Sequence, residues 1–330
     1  MRILMSAVLL AALLPSAAQA ADCKLQIIDI IHMDPAFEGL EERIPVKING
    51  VQKSFIFDTG GSLTQVARAM AEDLKLPVRQ GNIQMYDVAG NISRDQAAIH
   101  EFMIGHMRGT DVNLPVNPGG LPADGIVALD YLHTFDADVD FTSNTLRIFS
   151  QDHCPGQVVY WTSPANVGIV PITMNGYHMI VPVTLDGKPE RAVIDTGATF
   201  STITIPEAHR LFDLTPGTAD VPEYGKFNND PTLKTYSHDF KSLSIGDIAV
   251  TNPKLILIPN AMGRNADRSQ YVGDRTKSDK TEINVDDMII GMDVLRKLHI
   301  YIAFGERKMY VSGTSAPPVS TAPAAPATAQ

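Results

Sequence analysis

Two copies of the tripeptide Asp-Thr-Gly are the residues of this chain whose types and spacing could do chemistry. They lie at residues 58–60 and 195–197, and each follows an apolar run. An aspartate between an apolar strand and a glycine turn is held at the end of a rigid element, so Asp58 and Asp195 can meet if the two copies pair. Two carboxylates that share one proton can activate water to hydrolyse a peptide bond. A single Asp-Thr-Gly at a strand end is also compatible with ordinary turn chemistry.

The repeat extends beyond the triplets, which argues against coincidence. A proline precedes the aspartate by 13 residues in both copies, at Pro45 and at Pro182. Between proline and aspartate lies a turn dipeptide, Asn-Gly at 49–50 in the first copy and Asp-Gly at 186–187 in the second. A turn dipeptide of this kind between alternating apolar runs predicts a β-hairpin in each copy.

Each copy continues with a short helix, a strand-turn signal and a second apolar run. Apolar spacing predicts the helices over residues 67–76 and 205–214. The strand-turn signals are 102–106 and 243–247, and the second apolar runs are 125–132 and 288–295. Each second run contains an aspartate, Asp130 or Asp293, which we interpret as the cap of a short helix.

These motifs resemble those of pepsin-like and retropepsin-like aspartic proteases, with two retropepsin-like halves fused in one chain. The resemblance covers roughly residues 40–312. It implies an all-β, bilobal acid-protease fold of two homologous β-barrel-like lobes with a few short helices. It also implies that Asp58 and Asp195 form a catalytic dyad that requires neither a metal nor another cofactor. The neighbouring residues implied to support the catalytic loops are Thr59, Gly60, Gly61, Ser62, Thr196, Gly197, Ala198 and Thr199.

The chain departs from the family's pattern beside the triplets. Ala128 occupies the position of the glycine that ends the supporting apolar run, which bears on how tightly the first catalytic loop is braced. Gly61 and Ala198 stand where pepsins have a serine or threonine whose hydroxyl donates to the carboxylate. Loss of a donor to the ionised form raises the pKa of a carboxyl group. We therefore expect activity at milder acidity than that of pepsin.

Two segments could control access to the dyad. A flap is predicted at residues 85–91, where Tyr86 either matches the family's flap tyrosine or is an ordinary edge-strand aromatic. The counterpart in the second copy is residues 224–229. A polar excursion at residues 260–286 has no counterpart in the first copy, and it either shapes access or is a solvated loop.

Composition and the ends of the chain predict an exported protein. Residues 1–20 combine one basic residue, an apolar core and an Ala-Gln-Ala ending, which is typical of a cleaved secretory signal. Export would be to the periplasm in a Gram-negative bacterium and to the outside of the cell otherwise. No later segment offers about 18 uninterrupted apolar residues, so no membrane span is predicted. The formal net charge of −10 argues against a nucleic acid partner.

The sequence also predicts a division into segments. The segments are a signal at 1–20, a first lobe at 21–153, a linker at 154–166, a second lobe at 167–313 and a disordered Pro/Ala/Ser/Thr tail at 314–330. Cys23 and Cys154 are the two cysteines. In an exported protein such a pair predicts a disulfide bond, and two separate thiols are the alternative.

The predicted function is that of an aspartic endopeptidase acting on peptides or proteins as a monomer with an intrachain dyad. One alternative is a catalytically silent relative that binds peptides or envelope proteins in its cleft. Another is a chain whose lobes pair with those of a second chain, although fusion of two copies favours the intrachain pair. His100 and His106 are six residues apart on a predicted strand, which does not fit a helical zinc-protease motif, so no metal site is predicted.

Overall fold

The computed structural model describes residues 24–86, 92–227, 230–260 and 287–314. Within these ranges the chain is mostly β, and three sheets form two lobes and a platform between them. This architecture confirms the predicted all-β, bilobal fold class. Among the described residues, no helix has the length and apolarity needed to cross a membrane.

The first lobe is built on an eight-stranded sheet. Its strands, numbered in chain order, are β2 (Asp34–Ala36), β3 (Glu41–Ile48), β4 (Val51–Phe57), β5 (Gln65–Val66), β6 (Val78–Tyr86), β7 (Ile92–Ile104), β8 (Met107–Pro115) and β9 (Gly125–Val127). The order is β5-β9-β4-β3-β7-β6, with β2 paired to β3 and β8 paired to β7. Helix α1 (Arg68–Asp73) and a 3₁₀ turn (Phe37–Gly39) complete the lobe.

The second lobe repeats this plan around a ten-stranded sheet. Its strands are β13 (Thr173–Asn175), β14 (His178–Leu185), β15 (Lys188–Ile194), β16 (Thr202–Thr204), β17 (Glu223–Lys226), β18 (Lys234–Asp239), β19 (Ser242–Ile245), β20 (Ile248–Thr251), β21 (Lys254–Ile258) and β22 (Met288–Ile290). The order is β17-β18-β21-β16-β22-β15-β14-β19-β20, with β13 on β14. Its helices are α2 (Ile205–Phe212) and α3 (Met292–Leu295).

A central sheet of six strands takes members from both halves of the chain. They are β1 (Ile27–His32), β10 (Asp136–Asp140), β11 (Thr145–Phe149), β12 (Gly168–Pro171), β23 (Leu298–Ala303) and β24 (Lys308–Gly313), in the order β1-β11-β10-β23-β24-β12. The halves meet where β10 runs antiparallel to β23. A 3₁₀ turn (Pro164–Asn166) precedes β12.

A buried carboxylate ties the central sheet together. Asp138 of β10 is fully buried and accepts hydrogen bonds from Arg147 of β11, Tyr160 and His299 of β23. A buried acidic side chain is tolerated when it is paired and accepts hydrogen bonds from several donors, as Asp138 does. The cluster therefore links strands from the first and second halves of the chain.

The hairpins predicted in both copies are confirmed. Strands β3 and β4 pair Ile48 with Val51 across Asn49 and Gly50, whose φ angles are 50° and 82°. Strands β14 and β15 have the same geometry, with φ angles of 45° and 78° in the Asp-Gly turn at 186–187. Positive φ at both central residues matches the twist of the flanking strands, which explains the turn dipeptides. Helices α1 and α2 likewise lie within the predicted helical segments.

The strands that lead to the triplets are covered on both faces. Phe55, Ile56 and Phe57 are all buried at the end of β4, and residues 192–194 are all buried at the end of β15. Successive residues of a strand point to opposite faces, so three buried residues in a row require protein on each side. The aspartate that follows each strand is therefore attached to a rigid element.

Several predicted features fall outside the described residues. They are the signal at 1–20, Cys23, most of the flap at 85–91, most of the excursion at 260–286 and nearly all of the tail at 314–330. The predicted bond between Cys23 and Cys154 stays a prediction for this reason. The predicted segment boundaries also stay a prediction.

Candidate active site

Each triplet aspartate is placed by three strands of its own lobe. Strand β9 runs parallel to β4 and antiparallel to β5, and the backbone N–H of Asp58 donates to the carbonyl of Val127 at 2.9 Å. In the second lobe β22 lies between β15 and β16, and the N–H of Asp195 donates to Ile290 at 3.0 Å. The second apolar run of each copy thus lies beside the strand that carries the aspartate.

The two aspartates meet across the lobes. Each triplet loop brings a glycine against the carboxyl group of the opposite aspartate. A Cβ atom on Gly60 would lie 2.2 Å from Cγ of Asp195, and one on Gly197 would lie 2.4 Å from Cγ of Asp58. Real Cβ contacts are not this short, so each loop needs a glycine at this position for the opposite carboxyl group to approach.

Backbone donors of the triplets point at the same carboxyl groups. Gly60 N–H donates to Asp58 Oδ1 at 3.0 Å. Gly197 and Ala198 N–H groups donate to Asp195 Oδ1 at 2.9 and 3.1 Å. These donors stabilise the ionised form of each carboxyl group and fix its orientation.

Burial and mutual proximity shift the acidity of the pair. Burial raises the pKa of Asp58 well above its usual range, and the negative charge of Asp195 and the hydrogen bond with it raise this pKa further. Burial also raises the pKa of Asp195, while hydrogen bonds from Asp58, Gly197 and Ala198 oppose the increase. Two like charges this close do not ionise together at low cost, so the pair favours a state in which one proton is shared.

Thr59 and Thr196 connect the two catalytic loops beneath the dyad. Thr59 Oγ1 donates to the carbonyl of Ile194 at 2.6 Å and accepts from Thr196 N–H at 3.1 Å. Thr196 Oγ1 reciprocates, donating to the carbonyl of Phe57 at 2.6 Å and accepting from Thr59 N–H at 3.0 Å. Both threonines are buried. The four bonds follow the repeat and hold the loops in register.

A family model described as aspartyl protease matches residues 44–131 and 181–294, which together make up more than half of the chain. The chain belongs to the aspartyl protease family. The predicted family resemblance is therefore confirmed, and each matched segment contains one triplet and its second apolar run.

One solved structure resembles this chain at low sequence identity. The crystal structure of the aspartic proteinase from Irpex lacteus aligns with 87% of this chain and 97% of that chain, with a TM-score of 0.48 and 12% sequence identity. A comparison with curated proteins finds no match.

In this member of the aspartyl protease family, the aspartates of the second apolar runs hydrogen-bond to the loops that follow the triplets. Asp130 Oδ1 accepts from Thr64 Oγ1 at 2.6 Å and from Thr64 N–H at 3.0 Å. Asp293 Oδ1 accepts in the same way from Ser201 Oγ at 2.7 Å and from Ser201 N–H at 2.8 Å. Each hydroxyl lies six residues after its triplet aspartate and in turn accepts from the backbone N–H of residue 128 or 291.

The interpretation of Asp130 and Asp293 as helix caps was wrong. Asp130 lies in a turn, and the N-cap of α3 is Gly291, so that Asp293 is inside the helix. Each of these carboxylates accepts hydrogen bonds from a hydroxyl and a backbone N–H of the catalytic loop. Their repetition in both copies reflects support of the two loops.

Gly61 and Ala128, two departures from the family's pattern, lie against each other. A Cβ on Gly61 would lie 3.3 Å from Cβ of Ala128, which is closer than most such contacts, and 2.9 Å from Asp58 Oδ2. In the second lobe, a Cβ on Gly291 would lie 2.6 Å from the carbonyl carbon of Phe200 and 2.7 Å from the carbonyl oxygen of Ala198, so backbone atoms exclude a side chain there. Ala128 is fully buried.

Three further predicted site residues, Ser62, Thr199 and Tyr86, make the following contacts. Ser62 contacts His178, which sequence reasoning did not single out, at 3.1 Å. Thr199 accepts a backbone hydrogen bond from Asp293 at 3.2 Å. Tyr86 is the last residue of β6, where its backbone pairs with Ile92. No cluster of three or more potential metal ligands occurs in the part of the chain that the structure describes.

Proposed function

We propose that this chain is an exported aspartic endopeptidase with its dyad formed by Asp58 and Asp195. Membership of the aspartyl protease family supports a protease-type function. The observation that carries the more specific proposal is the close approach of the two triplet loops, in which Gly60 lies against the carboxyl group of Asp195 and Gly197 lies against that of Asp58. A pair that shares one proton contains a general base and a general acid at the same place.

The chemistry follows from that shared proton. The ionised aspartate removes a proton from a water molecule while the water oxygen attacks the carbonyl carbon of the peptide bond. The protonated aspartate donates its proton to the carbonyl oxygen, giving a tetrahedral diol. The aspartate that took the proton from water then gives it to the amide nitrogen, while a hydroxyl of the diol gives its proton to the other aspartate as the carbon–nitrogen bond breaks and the carbonyl forms again. Charge and protons balance, and the dyad ends with one proton as it began.

Export and a monomeric working form belong to the same proposal. Residues 1–20 have the composition of a secretory signal, which supports export. Both carboxyl groups come from one chain, so a monomer contains a complete dyad. Size-exclusion chromatography of the mature chain, with activity measured in each fraction, tests whether the monomer is the active species.

Cleavage is expected to be most rapid between about pH 5 and pH 7. Burial raises the pKa of both dyad residues, and neither Gly61 nor Ala198 has a hydroxyl to stabilise the ionised form. A higher first pKa moves the acidic limb of the rate profile to higher pH, because the dyad must lose one proton to act as a base. The measurement is cleavage of an unfolded protein mixture from pH 3 to pH 8.

A rate maximum below about pH 3 would contradict this expectation while leaving the peptidase assignment intact. No cleavage at any pH by a well-folded chain would contradict broad peptidase activity. Pull-down from envelope extracts would then test the silent, peptide-binding alternative. Fragment masses from the active sample would give the cleavage preference.

Gly61→Ala is expected to lower kcat/KM by about tenfold or more. The new methyl group would lie 2.9 Å from Asp58 Oδ2 and 3.3 Å from Cβ of Ala128, so the first catalytic loop must shift. Adding Ala128→Gly to the same chain removes the contact with the Ala128 methyl group and is expected to restore part of the loss, since the contact with Asp58 Oδ2 remains. Steady-state kinetics at the pH optimum measures both effects.

Gly120→Ala is the matched control for this prediction. No atom lies within 4 Å of the Cβ position at Gly120, so the added methyl group meets nothing. Its kinetics are expected to equal those of the wild type. Full activity of Gly61→Ala alone would show that the contact between the two methyl positions does not constrain the loop.

A further inference from the structure

Two aromatic side chains of the second lobe are exposed beside the second catalytic loop. Phe200 lies five residues after Asp195 and is 39% exposed, and Tyr224 of β17 is 50% exposed. Their rings pack edge to face, with centroids 6.0 Å apart and an interplanar angle of 77°. Aromatic pairs of this geometry attract each other and are common in protein cores. This pair instead presents open apolar surface.

The backbone that carries Phe200 is held close to the dyad. The N–H of Ala198 donates to Asp195 Oδ1 at 3.1 Å, and the carbonyl of Ala198 accepts from Met292 N–H at 2.8 Å. Phe200 follows two residues later, and two residues of chain span at most about 7 Å. A Cβ atom on Gly291 would lie 2.7 Å from the Phe200 carbonyl oxygen, so the loop lies directly against that glycine. Phe200 is therefore near the dyad and on a fixed backbone.

The exposed part of this loop runs from the dyad to Phe200. Gly197, which lies against the carboxyl group of Asp58, is exposed, and so are Thr199 and Phe200. Ser201, the next residue, is buried. A peptide whose scissile bond lies at the dyad is therefore within reach of the Phe200 ring.

Tyr224 reaches Phe200 from a bulge in an edge strand. Strand β17 lies at one end of the ten-stranded sheet. Its register shifts between Glu223 and Gly225, which pair with consecutive residues of β18, so Tyr224 is the extra residue of a β-bulge. Bulges redirect side chains and are frequent at sheet edges and next to active sites. Here the redirected ring packs on the catalytic loop.

The first lobe has a different residue at the corresponding place. Leu63 lies five residues after Asp58, as Phe200 does after Asp195, and it is half-buried. The hydrogen bonds that support the two catalytic loops repeat in both copies, whereas this aromatic ring does not. The aromatic pair therefore gives one side of the dyad a property that loop support does not require.

We propose that Phe200 and Tyr224 form a binding site for an aromatic side chain of the substrate, on the second-lobe side of the scissile bond. The inference rests on the proposed peptidase function and names a determinant of its specificity. A substrate ring that packs on the two exposed rings leaves water and gains ring–ring contact. A substrate with alanine at the same position gains neither. One apolar contact of this kind favours one substrate over another by about tenfold or more.

Cleavage of an unfolded protein mixture gives the first test. Fragment masses from the wild type are expected to show Phe, Tyr and Trp enriched at one position beside the cleaved bond. Two peptides with a preferred sequence are then compared, differing only by phenylalanine or alanine at that position. The ratio of their kcat/KM values is expected to be about tenfold or more in the wild type and to fall to about twofold in Phe200→Ala and in Tyr224→Ala.

Three further variants distinguish the rings from general packing. Tyr224→Phe keeps the ring and is expected to keep the wild-type ratio. Phe200→Leu introduces the residue of the first copy, and its ratio is expected to lie between those of the wild type and Phe200→Ala. Phe37→Ala removes a ring that is 60% exposed on the first-lobe 3₁₀ turn and is expected to retain the wild-type ratio. Equal losses for both peptides in Tyr224→Ala, with the ratio unchanged, would overturn the proposal.

Peptide capture separates failure of this inference from failure of the peptidase function. A tryptic digest of the same protein mixture is passed over immobilised Asp58→Asn and over Asp58→Asn/Tyr224→Ala. Peptides with aromatic residues are expected to be enriched on the first and not on the second. This result with an inactive wild type would reject the peptidase function while supporting the binding site. Equal capture by both variants would overturn the site, as would cleavage by the wild type without any aromatic preference, which leaves the peptidase function intact.

Discussion

Asp58→Asn is expected to lower kcat/KM for peptide cleavage by at least ~1000-fold, and Asp195→Asn by a similar factor. An amide neither accepts a proton from water nor donates one to the carbonyl oxygen with the ease of a carboxyl group. General acid–base groups typically contribute about 10² to 10⁴-fold each, and here both roles depend on one shared proton. Loss of either member therefore disables the pair.

The same substitution is expected to stabilise the folded protein near neutral pH. Burial and Asp195 raise the pKa of Asp58 above its ordinary value of 3.8, so the folded state favours the proton. The stability associated with that proton is fully present below the ordinary pKa and is lost as pH rises through the raised pKa. Asparagine has no such proton to lose. Thermal unfolding of Asp58→Asn is therefore expected at an equal temperature at pH 3 and a higher one at pH 7.

The control is Asp213→Asn, the same chemical change at a side chain that is 96% exposed. Its activity and its unfolding temperature are expected to match the wild type at both pH values. Cleavage activity of Asp58→Asn within tenfold of the wild type would disprove the shared dyad. Reduced activity together with a lower unfolding temperature at pH 7 would point to a folding defect instead.

Thr59→Val is expected to destabilise the folded protein by about 2–4 kcal/mol. Valine keeps the shape of threonine but leaves the carbonyl of Ile194 without its donor and the N–H of Thr196 without its acceptor. Both groups lie in the buried junction between the catalytic loops. The loss of register is also expected to lower kcat/KM by about 100-fold, since catalysis depends on the relative placement of the two carboxyl groups. Calorimetric unfolding and steady-state kinetics measure the two effects.

Three companion variants test the origin of that loss. Thr59→Ser retains the hydroxyl and is expected to recover most of the stability and activity. Thr251→Val makes the same change at an exposed position of β20 and is expected to have little effect. In the double variant Thr59→Val/Thr196→Val, the total loss is expected to be smaller than the sum of the losses in the two single variants, because the two hydroxyls act in one network. Equal losses in Thr59→Ser and Thr59→Val would rule out the hydroxyl as the stabilising group.

The repeat allowed much of the fold to be predicted, because hairpins and triplets are local. Asn49-Gly50 and Asp186-Gly187 specify their turns through backbone preferences that depend on few neighbours. The placement of Asp58 after an apolar strand could be predicted from the sequence for the same reason. Its partner in the other copy followed from the repeat, which relates two distant segments without knowledge of the contacts between them.

Contacts that differ between the two copies could not be predicted from the repeat. His178 has Glu41 as its counterpart, so the repeat carried no signal that a histidine there would reach Ser62, which is 116 residues away. Asp130 and Asp293 did repeat, but a local rule assigned them to helix caps. Their partners, Thr64 and Ser201, are 66 and 92 residues away. The hydroxyl six residues after each triplet aspartate was the available signal.

The central sheet determines when the dyad can form during synthesis. Strand β10 needs β23 at residues 298–303, and β12 needs β24 at residues 308–313. Asp195 also depends on β22, which begins at Met288. While these residues are still inside the ribosome, the central sheet lacks β23 and β24. The strand that carries Asp195 then also lacks its neighbour β22. The approach of Asp195 to Asp58 is therefore expected only after residues up to about 313 have left the ribosome.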